Sequence, residues 1–132
     1  MAQNVYYTHK HTLATRVSQS AKLALKHPSR VPIIVQPLPG SLLPWIENCK
    51  LLMPKTNPCS GVQCYVRENM KLGHEFALNY LIDTSKIEWE DQTKNKQYQM
   101  LNGAELAGLV HSQFAKPDGF CYVYYDQEHF FG

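Results

Sequence analysis

Four cysteines (Cys49, Cys59, Cys64, Cys121) and six histidines are the side chains best equipped for catalysis or metal binding in this 132-residue chain. A thiol nucleophile needs a depressed pKa and a histidine nearby. Cys59, at the start of a helical pattern, is the candidate, with His74 or His111 as base, but no recognisable nucleophile motif surrounds it. Metal binding is as thinly supported. His9 and His11 stand two residues apart near a terminus, and no Cys/His set has ligand spacing. The cysteines form no C-x-x-C pair and no disulfide framework, so buried or half-buried free thiols are expected. The other conspicuous feature is the end, "HFFG", where an aromatic pair precedes a glycine. Taken alone it reads as a frayed terminus.

Composition narrows the classes. With 44% hydrophobic and 18% charged residues, the length fits one domain with a real core. A formal charge of +2, with no single-sign block longer than two residues, argues against a nucleic-acid partner. No apolar window approaches the ~20 residues of a membrane span, and no leader pattern opens the chain. A cytoplasmic protein is expected.

The elements that must position any site follow from periodicity. "TLATRVSQSAKLALK" places Leu13, Val17, Ala21 and Ala24 at helical spacing and predicts an amphipathic helix on that stripe, stopped by Pro28. "RVPIIVQPL" is a β-branched strand and "CKLLMP" a second, with the proline-rich loop "PLPGSLLPWIEN" between them. Residues 58–72 predict a helix with Val62, Tyr65, Val66 and Met70 on one face, Pro58 at its first position and Asn57 or Thr56 as cap. "ALNYLID" is a third, central strand. Residues 84–102, around Trp89, read as a polar loop or surface hairpin. A short helix with Leu106, Leu109 and Val110 inward follows, then the turn "KPDG" and the closing strand "FCYVYY". Two strands, a crossing helix and two more strands make an α+β, β-grasp sheet of ubiquitin-like architecture. Residues 1–27 add an N-terminal helical extension.

At "KHPSRVPIIVQ" the chain resembles the "K-Y-P-D-R-(I/V)-P-V-I-V-E" signature of the Atg8, LC3 and GABARAP autophagy modifiers. "HTLATR" is similar to the family's "H-P-(L/F)-E-K-R", "CKLLMP" to "K-(Y/F)-L-V-P", and "DGFCYVYYDQEHFFG" to its C-terminal "D-G-F-L-Y-(V/M)-x-Y-S-x-E-x-x-(F/Y)-G". The departures are Gln19 in place of an acidic residue, Leu51 in place of tyrosine or phenylalanine, Asn57 in place of leucine, and the insert around Trp89. The chain is identified as a divergent member.

The resemblance implies a modifier rather than an enzyme, with no cofactor. Gly132 would be activated by an E1-like enzyme, passed through an E2-like enzyme and joined to phosphatidylethanolamine, and a cysteine protease would process or deconjugate it. Phe130 and Phe131 would contact those enzymes, and the absence of a Cβ at Gly132 would let the chain thread a narrow cleft. Localisation would be cytoplasmic, and autophagosomal when lipidated. Cargo receptors and adaptors carrying W/F/Y-x-x-L/I/V motifs would add a strand beside "CKLLM". An aromatic pocket is implied at Gln19, Leu23, Pro32, Ile34, Lys50, Leu52 and Phe120. An aliphatic pocket is implied at Leu51, Met53, Pro54, Val62, Tyr65 and Val66. Arg30 and Lys50 would meet acidic flanking residues. Leu23, Ile34 and Val66 read equally well as core. The rival readings are an Atg12-type protein-conjugated modifier and a peptide-binding scaffold that is never conjugated.

Overall fold

A computed structural model describes residues 5–70, 77–85 and 97–128. Nine elements follow in order: α1 (Tyr7–Lys10), α2 (Leu13–Lys26), β1 (Arg30–Pro37), β2 (Lys50–Pro54), α3 (Ser60–Met70), β3 (Leu78–Asp83), β4 (Tyr98–Met100), α4 (Ala107–Phe114) and β5 (Cys121–Gln127). The strands form one mixed sheet ordered β2-β1-β5-β3-β4, with β1 and β5 parallel and the other pairs antiparallel. This is the β-grasp arrangement that the element order predicts. β5 lies at its centre, and five of its first residues, Cys121 to Tyr125, are almost wholly buried.

The prolines that interrupt the sequence cost the ladder little. Val35 N–H donates to Cys49 O (2.8 Å) and Lys55 N–H to Ser29 O (2.9 Å), which fixes the β1–β2 hydrogen-bonded pairs at Val35/Cys49, Ile33/Leu51 and Val31/Met53. Pro32 and Pro54 fall at the alternate positions. Pro32 precedes the β1–β5 pairing, which begins at Ile33, and the nitrogen of Pro54 points off the sheet's edge.

Two apolar layers flank the sheet. One holds Val31, Ile33, Val35, Met53, Val62, Val66, Cys121, Val123 and Tyr125 beneath α3 and α4. The other holds Tyr7, Ile34, Phe120, Tyr122 and Tyr124 beneath α1 and α2, with Leu23 packed against it. Period-two alternation sorts the residues of β1 and β5 between the layers.

Several expectations are corrected. The stripe on α2 points outward: Leu13 (38% exposed), Val17, Ala21 and Ala24 face solvent, while Arg16 and Ser20 are buried. A buried carboxylate, Asp118, sets that orientation. On α4, Leu106 and Leu109 are likewise exposed, and Ala107 and Val110 turn inward because Gly108 packs close to the backbone of Lys55. α3 begins at Ser60 rather than Pro58. Its first turn takes no side-chain cap from Asn57 or Thr56; Cys59 N–H donates to Glu105 O and Ser60 N–H to Gly103 O. α1 was not visible as a separate helix. Of the predicted excursion at 84–102, the tail forms β4, paired antiparallel to β3, and residues 86–96 lie outside the described residues. Cys64 is exposed rather than buried.

Candidate functional site

The edge of the sheet at β2 is the candidate binding surface. With Cys49, Leu51 and Met53 bonded to β1, the backbone groups of Lys50 and Leu52 point away from the sheet. Lys50 N–H is taken by Asn48 Oδ1 at 3.2 Å. Lys50 C=O and the N–H and C=O of Leu52 therefore face outward, a template for one more strand.

The register divides the expected residues between the two faces of that edge. Pro32 opposes Leu52, and Ile34 opposes Lys50 and Tyr122, which puts Pro32, Ile34, Lys50, Leu52 and Phe120 on the α2 face. Gln19 and Leu23 of α2 stand above them, both half-buried. Ile33 opposes Leu51, and Val31 opposes Met53, so Leu51 and Met53 lie on the α3 face with Val62, Tyr65 and Val66. Tyr65 donates from its hydroxyl to Asn48 O (2.6 Å), which ties α3 to the chain entering β2.

Burial divides the expected residues. Ile34, Phe120, Val62 and Val66 are 0% exposed, and Pro32 and Met53 are also buried, so as folded these six are core and offer a ligand almost no surface. The half-exposed residues around them, Gln19, Leu23, Lys50, Leu51, Leu52 and Tyr65, are what a docked side chain would touch first. Pro54 is half-buried at the end of β2, with exposed Arg30 opposite it. Gln19 Oε1 is a buried acceptor with no partner among the described residues.

The α2 wall is held by one turn that sequence reasoning left as "KPDG". Asp118 Oδ2 accepts from Arg16 Nη1 (2.7 Å) and from the Tyr122 hydroxyl (2.5 Å), and Oδ1 accepts from Phe120 N–H (2.9 Å). The carbonyl of Asp118 accepts from Ser20 Oγ at 2.5 Å. Burial, then the adjacent Asp118 charge, raises the Tyr122 phenol far above its ordinary range, so it remains a donor. Gly119 makes the turn possible: its φ is +89°, and a Cβ there would lie 2.9 Å from Ser20 Cβ and closer still to Ser20 Oγ. Gly119→Ala should therefore cost about 2–4 kcal/mol, from backbone strain plus overpacking. Chemical denaturation measures this. Made in a Ser20→Gly background, which removes both atoms the new Cβ would meet, Gly119→Ala should cost less than in the parent chain, and a single variant as stable as the parent would contradict the geometry.

Beyond Lys50 the edge opens into a cavity of about 210 Å3 lined by Tyr7, Lys10, His11, Trp45, Cys49 and Lys50, among others. Sequence reasoning missed it, since α1 and the loop before β2 meet only in the folded chain. Tyr7 packs edge-on against Phe120 at 5.3 Å, and its amide donates to Gln36 Oε1 (2.6 Å). Burial, then Cys49 and Asp118, pushes the Tyr7 phenol up to about 12. Burial and then Lys10, Lys50 and Arg16 lower His11, while burial raises the Cys49 thiol. Lys10 and Lys50 outnumber the one carboxylate of the lining, Glu47, and leave the cavity with a small positive excess.

Cys59 cannot serve as a nucleophile as folded. It is 1% exposed, and burial followed by Glu105 raises its thiol, the direction opposite to activation. His111 Nε2 is engaged with Gly119 O at 2.8 Å, and His74 lies outside the described residues. Among the described residues no group of three or more His, Cys, Asp or Glu side chains could hold a metal. Phe130, Phe131 and Gly132 lie outside the described residues.

Known proteins align along nearly the whole chain. The family profile described as "Autophagy protein Atg8 ubiquitin like" matches residues 15–132. Autophagy-related protein 8a of Arabidopsis thaliana is 28% identical over 120 residues, 91% of this chain and 87% of that protein. Autophagy-related protein 8 of Mycosarcoma maydis is 24% identical over 127 residues, covering 96% and 95%. The crystal structure of Trypanosoma brucei ATG8 superimposes with a TM-score of 0.76 at 26% identity, covering 98% of this chain and all of that one. With its whole sheet and all but the first two residues of α2 inside the matched residues, this chain belongs to the Atg8 family of ubiquitin-like autophagy proteins, as a divergent member.

Proposed function

We propose that this protein is a lipid-conjugated modifier of autophagosome formation, joined through Gly132 to phosphatidylethanolamine, that docks cargo receptors at the β2 edge. The observation that carries the reading is the family match, which runs through the C-terminal residues to Gly132. The reaction would be done to this chain by an E1-like and an E2-like enzyme gripping Phe130 and Phe131, and reversed by a cysteine protease. The protein would be cytoplasmic until conjugated. Among the described residues no helix is long and apolar enough to cross a membrane, and two acyl chains of one phospholipid suffice for stable anchoring. The deciding measurement is the mass of the C-terminal peptide, cut after Glu128, from the membrane fraction of starved cells. Phosphatidylethanolamine on Gly132 is expected; an unmodified HFFG peptide in every fraction rejects the reading.

The groove supports the receptor role by its direction. The aromatic pocket would lie at Lys50 and Leu52 and the aliphatic pocket would extend to Pro54, so an aromatic-x-x-aliphatic motif would run parallel to β2. Residues before the aromatic would then reach the Lys10 and Lys50 cavity, which suits acidic side chains, and exposed Arg30 would meet acidic residues past the other end. At the pocket mouth Gln19 offers a buried neutral acceptor instead of a carboxylate. A neutral hydrogen bond is worth about half a charged one. A tryptophan peptide should therefore outbind its phenylalanine and tyrosine counterparts by less than about tenfold in a titration. A larger gap would refute the role given to Gln19.

A further inference from the structure

We propose that the loop joining β1 to β2 is a second membrane contact, entering the bilayer interface through Leu42 and fixing how the anchored protein sits on the lipid surface. This rests on the reading of Gly132 as the lipid attachment point.

Leu42 is fully exposed, 100%, the most exposed large apolar side chain among the described residues. A lone surface leucine is ordinary; the way this one is held is not. The neighbouring loop residues are tied down. Leu38 N–H donates to Tyr125 O (2.9 Å), and Ser41 N–H to Leu38 O (2.9 Å). Leu43 N–H donates to Ser41 Oγ (3.2 Å). The Tyr125 hydroxyl donates to Pro44 O (2.7 Å) and accepts from Ile46 N–H (3.2 Å). Leu43 packs on the core, Pro39 and Pro44 restrict the backbone, and Gly40 supplies the turn's positive φ of +89°. Of the loop's leucines and Trp45, only Leu42 is fully turned out to solvent, with Gly40 and Pro44 exposed to either side. Three residues on, half-buried Trp45 packs against Tyr6 with the rings tilted and their centroids 4.8 Å apart, and Val5 is 38% exposed. Tryptophan and tyrosine favour the headgroup level of a membrane.

Position makes lipid the occupant. β1 and β5 are parallel, so both leave the sheet at the same end, Pro37 beside Tyr125. The Leu42 loop starts there. Glu128 follows three residues after Tyr125, its N–H on Ala77 O at 2.9 Å, and four residues then remain to Gly132. Four residues of chain reach at most about 14 Å. A phospholipid on Gly132 therefore brings the bilayer to this end of the molecule. The two next most exposed leucines among the described residues, Leu25 (86%) and Leu109 (55%), are elsewhere. Leu25 lies near the C-terminus of α2, where His27 meets Arg30 at the start of β1, and Leu109 lies on α4, which packs on Lys55 past the end of β2. Both mark the opposite end.

The test uses the full chain with a hexahistidine tag after Gly132, tethered to phosphatidylcholine vesicles containing a nickel-chelating lipid. Tryptophan emission is compared between brominated and unbrominated vesicles for the parent chain and for Leu42→Trp, Leu25→Trp and Leu109→Trp. Leu42→Trp alone should lose emission to the bromolipid beyond the parent's loss. Equal losses in Leu42→Trp and the parent overturn the contact. No conjugating enzyme is involved, so that failure is separate from an unmodified Gly132 in cells, which would reject the anchor itself.

Discussion

Replacing Asp118 with alanine should destabilise the protein by about 3–5 kcal/mol, the range for removing one partner of a buried ion pair. Arg16 and Asp118 have side chains 9% and 1% exposed and meet at 2.7 Å. Without the carboxylate, the Arg16 guanidinium keeps the His11 carbonyl on Nε but loses its counter-charge, and the Tyr122 hydroxyl and Phe120 amide lose their acceptors. Leaving buried groups unsatisfied costs more than the bonds were worth. Against a total stability of about 5–15 kcal/mol, the loss should be plain as a fall in the urea midpoint. Asp118→Asn, which keeps an acceptor for Phe120 N–H, should lose less. Asp118→Ala made in an Arg16→Met background should also lose less than in the parent, because no charge is then stranded. Equal losses in the two backgrounds would mean that the pair does not couple. The consequence reaches the groove, since Arg16 and Ser20 are what press α2, and with it Gln19 and Leu23, against the sheet.

That same pair shows why part of the structure was hidden in the sequence. Strands such as "RVPIIVQP" and "CYVYY" are legible because β-branched and aromatic runs bury on either face of a covered sheet, and local pattern is enough. The inward face of α2 is different. Hydrophobic periodicity selects Leu13, Val17, Ala21 and Ala24, yet a carboxylate 102 residues from Arg16 rotates the helix the other way. A charge that will be buried beside its partner looks the same in sequence as one that will be solvated. The residues expected at the β2 edge came from family resemblance, residue by residue, and not from local pattern. The cavity beside it, formed by Tyr7 and Lys10 against Trp45, Cys49 and Lys50, has no local signal.

Leu52→Pro should abolish docking of an aromatic-x-x-aliphatic peptide while leaving the fold in place. Leu52 sits at a position of β2 whose N–H points off the sheet, opposite Pro32, so a proline there removes no bond to β1. The same argument explains why Pro54, two residues on, already occupies an equivalent position in the native strand. The extended conformation of Leu51 is also the one favoured before proline. An incoming strand would meet a ring where it needs a donor, and its own buried carbonyl would go unpaired. An unmade bond of that kind costs about 1–3 kcal/mol, and exclusion of the peptide backbone adds to it, for a loss of about 100-fold or more in affinity. Leu52→Ala separates backbone from side chain. It keeps the N–H and trims a half-buried side chain, so its loss should be nearer tenfold, about 1.4 kcal/mol. Titrating one fluorescent peptide against both variants, each confirmed folded by its circular dichroism, measures the difference. If Leu52→Pro binds as well as Leu52→Ala, the peptide does not add a strand at this edge, and the pockets on its two faces lose the backbone that would span them.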